Sequence, residues 1–183
     1  METDSARADS EPCDSCAMMR ESSRRICATG HQGVLRAVKV AVVYESRTGN
    51  TAHVAEMIGA AVQELGHEVG IWPTEKANLD YLTDADMVFL GTWTGGIIVT
   101  GHHPGDGGKL LAMPGIWGKP TAGFMTYALH AGKVLDKMSD IVTLLGGVWL
   151  GGRLFKRGKL EEGVASFVVA ALDAAEASLG VAS

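Results

Sequence analysis

From residue 38 onward, apolar and polar positions follow two alternating rhythms. VKVAVVY (Val38 to Tyr44) is an apolar run of strand length. After the turn SRTGNT, Val54, Met57, Ile58, Ala61, Val62 and Leu65 recur at helical spacing, and Gly66 stands where that helix should end. HEVGIWP (His67 to Pro73) predicts a second, edge-like strand, Leu79 to Ala85 a short helix, and DMVFLGT (Asp86 to Thr92) a third strand, fully apolar. A glycine-rich loop of unusual length follows, TWTGGIIVTGHHPGDGG, with a short helix near Lys109 to Ala112. KPTAGFMT (Lys119 to Thr126) predicts the fourth strand, and Val134, Leu135, Met138, Ile141, Val142 and Leu145 the next helix. GVWLGGRLF (Gly147 to Phe155) is the fifth strand, and Leu160, Val164, Phe167, Val168, Ala171, Leu172 and Ala175 mark a final helix. Strands alternating with helices imply right-handed crossovers and an α/β fold, its parallel sheet covered on both faces.

Residues 1 to 36 break this rhythm. They mix Ser, Asp, Glu and Arg with scattered apolar residues, a composition that cannot offset the entropy of ordering, and read as a disordered tail before a domain of residues 37 to 183. The tail holds all three cysteines, and Cys13, Cys16, Cys27 and His31 have a spacing that one tetrahedral zinc would accept. With nothing around them to form a small core, they read instead as unrelated thiols. The tail has no apolar segment of a secretory signal and too many acids for a transit peptide, and a cysteine-free body suits a reducing cytoplasm.

Charge and hydropathy narrow the function classes. The 183 residues carry a formal charge of -5, which supplies no basic field for nucleic acid or anionic membranes. The longest clean apolar run, GVASFVVAAL at 163 to 172, is about half of a bilayer span.

The chemistry concentrates in SRTGNT. A helix N-terminus offers unpaired N–H groups and a partial positive charge; Ser46, Thr48 and Thr51 add hydroxyl donors, and Gly49 permits close approach. That set suits a phosphate bound without a lysine. The alternative is an ordinary turn capped by Asn50 or Ser46. Competing phosphate motifs are absent: the Gly-Lys pairs at 108, 118, 132 and 158 are followed by Leu, Pro, Val and Leu, and no G-x-G-x-x-G follows a strand.

The run Val42-Val43-Tyr44-Glu45-Ser46-Arg47-Thr48-Gly49-Asn50-Thr51, with Ala55 four residues on, resembles the phosphate-loop signature of the flavodoxin family, and the similarity extends from Val38 to Leu179. The resemblance implies a doubly wound three-layer sandwich with a five-stranded parallel sheet in the order 2-1-3-4-5, of the short-chain type. Ligands of such sheets lie beyond the strands' carboxyl ends at the switch point, flavodoxin and its FMN being an established instance. It further implies that Ser46, Arg47, Thr48, Gly49, Asn50 and Thr51 hold the FMN phosphate. Thr92, Trp93, Thr94, Gly95 and Gly96 would flank the ring on one side, with the glycines reorienting near flavin N5 and the indole either stacking on the ring or serving only as a loop anchor that buries apolar area. Thr126, Tyr127, Ala128, Leu129 and Gly132 would border the other side, Tyr127 either stacking or packing on the next helix.

Other features are weaker. His130 reads as a solvent-facing loop histidine or a partner of the pyrimidine edge. His102, His103 and Asp106 lack a fourth metal ligand, and Arg153, Lys156, Arg157 and Lys159 read as a solvated strand exit. Flavodoxin shuttles usually carry an acidic rim, whereas GGIIVTG (95 to 101) is apolar. The expectation is an FMN-binding cytoplasmic electron carrier served by a redox partner protein. The alternatives are an FMN-dependent reductase of a small apolar acceptor such as a quinone, and a flavodoxin-fold binding module without flavin.

Overall fold

The computed structural model describes residues 37–95, 103–129 and 133–181. The expectations placed on Cys13, Cys16, Cys27, His31, Gly96, His102, His130, Gly132 and the 97 to 101 stretch lie outside these residues. The elements run β1 (Lys39–Tyr44), α1 (Asn50–Glu64), β2 (Glu68–Pro73), a 3-10 turn (Thr74–Lys76), α2 (Leu79–Asp84), β3 (Met87–Gly95), β4 (His103–Pro104), α3 (Gly107–Leu111), β5 (Pro120–Tyr127), α4 (Val134–Leu144), β6 (Val148–Lys156) and α5 (Val164–Val181).

Five strands form one parallel sheet in the order β2-β1-β3-β5-β6, the expected topology. The two-residue β4 pairs antiparallel with the end of β3, matching Thr94 to Pro104 and Gly95 to His103. That strand went unforeseen, because a pair of residues inside a glycine-rich loop carries no period. The final helix begins four residues later than the apolar pattern, Leu160 falling in a turn before it. Gly66 ends α1 as expected, with φ 83°, a left-handed conformation that costs glycine least.

The strand pleat divides the core in two. Val40 and Val42 of β1, Met87 and Phe89 of β3, and Ala122 and Phe124 of β5 pack against α1 and α5. Ala41, Val43, Val88, Leu90 and Met125 face the opposite layer, where Leu82 of α2, Leu110 of α3 and Met138 and Val142 of α4 cover them. Burial on both faces explains why these strands read as continuous apolar runs. Among the described residues no helix is long and apolar enough to cross a membrane.

The register sets the height of the strand ends. Tyr44, last in β1, lies beside Gly91, whereas β3 continues until Trp93 lies beside Thr126 of β5. The β1 chain thus turns away below a rim made by β3 and β5. Gly91 keeps this region close-packed: a Cβ there would fall 2.0 Å from the ring of the fully buried Phe124. Gly91→Ala should therefore lower stability by about 1 to 3 kcal/mol, the scale of overpacking a core. Urea unfolding checks this, and Phe124→Leu in the same chain should recover part of the loss.

Candidate functional site

The chain leaves β1 through Glu45, whose N–H still donates to the Gly91 carbonyl at 2.9 Å. It then turns through Gly49, which has φ 83° and directly precedes α1. Gly49 makes no side-chain cap, and the first turn of α1 contains no acid. The helix thus supplies no counter-charge of its own at its positive end.

Local hydrogen bonds set the hydroxyls as donors. Ser46 Oγ accepts the Ala52 N–H at 3.3 Å, and Thr48 Oγ1 accepts from Asn50 Nδ2 at 2.9 Å. Each hydroxyl, occupied as an acceptor, still has its own proton to give. The Asn50 and Thr51 N–H groups have no hydrogen-bond partner among the described residues. Gly49 holds the position before the helix and Asn50 is its first residue, so Asn50 is not the cap; Ser46, by taking the Ala52 N–H, caps the first turn in part. Thr51 Oγ1 lies inside, 2.9 Å from Thr126 Oγ1, and both residues are buried. This set of donors fits an anionic phosphate.

A cavity of about 320 Å³ adjoins the loop, between Ser46, Gly49 and Ala52 on one side and Pro73, Glu75 and Lys109 on the other. Glu45 also lines it, only 7% exposed, with Oε1 lacking a hydrogen-bond partner among the described residues. Lys109 Nζ lies 3.6 Å from Glu45 Oε2 and 2.9 Å from Glu75 Oε1. The hydrogen bond to Glu75, and then the charge of Glu45, hold the lysine above its ordinary pKa, while the same hydrogen bond lowers Glu75. One cation between two carboxylates limits the repulsion that a phosphate in the adjoining loop would meet. The sequence reading missed this trio: Glu45 is visible beside the loop, but nothing local joins it to a lysine 64 positions on.

At the end of β3, Thr92 is fully buried and its hydroxyl donates to the Gly105 carbonyl at 2.5 Å. Gly105 N–H donates to the Trp93 carbonyl at 2.6 Å, closing the hairpin to β4. A Cβ on Gly105 would sit 2.1 Å from the Trp93 indole, so the returning chain lies directly against that ring. The Arg47 guanidinium stands 5.6 Å from the indole centroid, a cation–π contact that joins the loop after β1 to the end of β3. Trp93 Nε1 and Thr94 Oγ1 are buried without hydrogen-bond partners among the described residues, two polar groups of the kind a polar ligand edge would satisfy. Gly95 is buried in the ladder with His103. On β5, Tyr127 is half-buried and its carbonyl accepts the Arg157 N–H, while Ala128 and Leu129 are exposed, Leu129 to 80%. Asp106 starts α3 at φ 49° and is exposed.

The structure thus brings the 46 to 51 loop, Trp93 and Thr126 to one edge of the sheet, at the point where strand order reverses between β1 and β3. A parallel sheet with hydroxyls and unpaired helix N–H groups at that point is the arrangement in which doubly wound α/β proteins bind ligands. Residues 41–169 match the flavodoxin domain family, and the chain belongs to it. FMN is the cofactor of this family of redox proteins, and the donor set found here fits its phosphate. Among curated proteins none matches.

Solved structures agree on the fold. A flavodoxin from the domain Archaea is 21% identical with a TM-score of 0.55, the match covering 76% of this chain and 97% of that one. The two-electron reduced flavodoxin of Megasphaera elsdenii is 24% identical with a TM-score of 0.57, covering 75% of this chain and 98% of that one. Rubredoxin:oxygen oxidoreductase from Desulfovibrio gigas is 16% identical with a TM-score of 0.60, covering 76% of this chain but 36% of that larger one.

Gly49 and Gly66 share φ 83°, and neither has an atom within 4 Å of where a Cβ would go. Alanine at either should cost about 1 to 2 kcal/mol of stability through left-handed strain alone. Only Gly49→Ala should also weaken FMN binding, because only Gly49 shapes the loop. Flavin titration of the two variants, matched by urea unfolding, separates strain from site.

Proposed function

We propose that this protein is an FMN-dependent electron carrier, its cofactor held between residues 46 to 51, the end of β3 and the end of β5. The observation that carries the reading is the set of unspent donors at the start of α1: two N–H groups without partners among the described residues and hydroxyls already occupied as acceptors. Bound FMN would supply the electron chemistry. The chain's part is to bind and orient it. In this reading Ser46, Thr48 and the Asn50 and Thr51 amides hold the phosphate. Arg47 and Gly105 steady the Trp93 indole as a wall for the ring, and Tyr127 forms the wall on the β5 side.

The carrier reading draws on the fold shared with flavodoxins, nearly the whole length of which the match spans. We place the functional unit in residues 37 to 183, and its location in the cytoplasm, where a body free of cysteine after Cys27 is at home. The partner in this reading is a redox protein. A second reading, reduction of a flat apolar acceptor, draws on Leu129, exposed beside the expected ring site.

The full chain should bind one FMN and should not select FAD. Thr48→Ala should weaken FMN about 10- to 100-fold while leaving riboflavin nearly unchanged, as expected for a hydrogen bond to a charged group. Equal losses for both flavins would refute the phosphate assignment. Trp93→Ala should restore part of the quenched flavin fluorescence and weaken binding by about 1 to 3 kcal/mol. A carrier should show two separated one-electron midpoint potentials; fast, saturable quinone reduction without that separation would favour the reductase.

A further inference from the structure

Thr51 and Thr126 are 75 positions apart in sequence, yet their hydroxyl oxygens are 2.9 Å apart. Both residues are buried, at 1% and 0% exposure. Thr51 is the second residue of α1, and Thr126 the penultimate residue of β5. The contact therefore joins the loop after β1 to the strand that borders the other end of the expected ligand.

Two hydroxyls hold two protons, and one bond between them uses one. Neither has a further hydrogen-bond partner among the described residues. Either oxygen can be the donor, and the two arrangements leave the spare proton in different places. If Thr51 donates, the spare proton stays on Thr126, in the sheet between Trp93 and Phe155. If Thr126 donates, it stays on Thr51, at the helix start where the Asn50 and Thr51 N–H groups have no partner among the described residues. An anion at that helix start selects the second arrangement, because it supplies the missing acceptor and each bond then polarises the next.

We propose that Thr126 is a positioning residue for the cofactor's phosphate, acting through Thr51 rather than on the flavin ring; this rests on the FMN reading above. Its hydroxyl donates to Thr51 and so turns the Thr51 proton toward the anion. The same bond ties the phosphate loop to β5. Thr126, expected from the resemblance to border the ring, would thus set the preference for a phosphorylated flavin.

The test titrates the full chain with FMN and with riboflavin, comparing wild type with Thr126→Val, which keeps the shape and removes the donor. FMN should weaken roughly tenfold more than riboflavin, the effect of one lost hydrogen bond in a charged network. Thr126→Ser should restore the wild-type ratio. Combining Thr126→Val with Thr51→Val should cost no more FMN affinity than Thr51→Val alone. Should valine not be accepted in the core, Thr126→Ala gives the same comparison. Equal losses for the two flavins, failure of serine to rescue, or additive losses in the double variant would overturn the proposal. A wild type that binds neither flavin would overturn the FMN reading and the proposal with it, whereas selectivity for FMN that survives in Thr126→Val overturns the proposal alone.

Discussion

The unpaired N–H groups at the start of α1 are the constraint on which the rest of this site depends. Donors left open at a helix end must find a partner, and a backbone group withdrawn from water without one costs as much as a lost hydrogen bond. Here the chain reaches the helix through a left-handed Gly49, leaves the first turn free of acids, and occupies two nearby hydroxyls as acceptors. The first two N–H groups of the helix are thereby left without an internal partner among the described residues, while Ser46 takes the third, that of Ala52. The parallel sheet then determines where that end points, since β1 stops below the rim formed by β3 and β5.

Contacts around the loop hold it in that place. Glu45 remains bonded to β3, Thr51 meets β5 inside the core, and Arg47 reaches across to Trp93. Lys109 from α3 completes the ring of contacts by holding Glu45 and Glu75. The loop is thus secured from the sheet and from the helix layer, so ordering it on binding should cost little. Such preorganisation is what allows hydrogen bonds to an anion to appear as affinity. In the FMN reading the tied loop would be the phosphate end of the site, and the half-buried Trp93 and Tyr127 with the exposed Leu129 its more open end.

Much of the fold was legible in the chain because strands buried on both faces leave apolar runs, and helices packed on them leave a period. Val38 to Tyr44 and Asp86 to Thr92 are clear for that reason, and SRTGNT is clear because its chemistry is local. What escaped reading is non-local. No pattern within a window reveals that Thr51 would meet Thr126, that Lys109 would reach Glu45, or that His103 would pair with Gly95. Thr92 has the same lesson: its place beside the site was legible, but its use in closing the hairpin at Gly105 depends on a chain return that sequence spacing does not disclose.

The central claim is that the start of α1 receives the phosphate of FMN. Amide chemical-shift mapping tests it most directly, with apoprotein titrated first with riboflavin and then with FMN. The account predicts that the amides of residues 47 to 51 move strongly with FMN and hardly at all with riboflavin, while Trp93 and Tyr127 respond to both. Amides at 47 to 51 that stay still with FMN, or that move equally with either flavin, would contradict it.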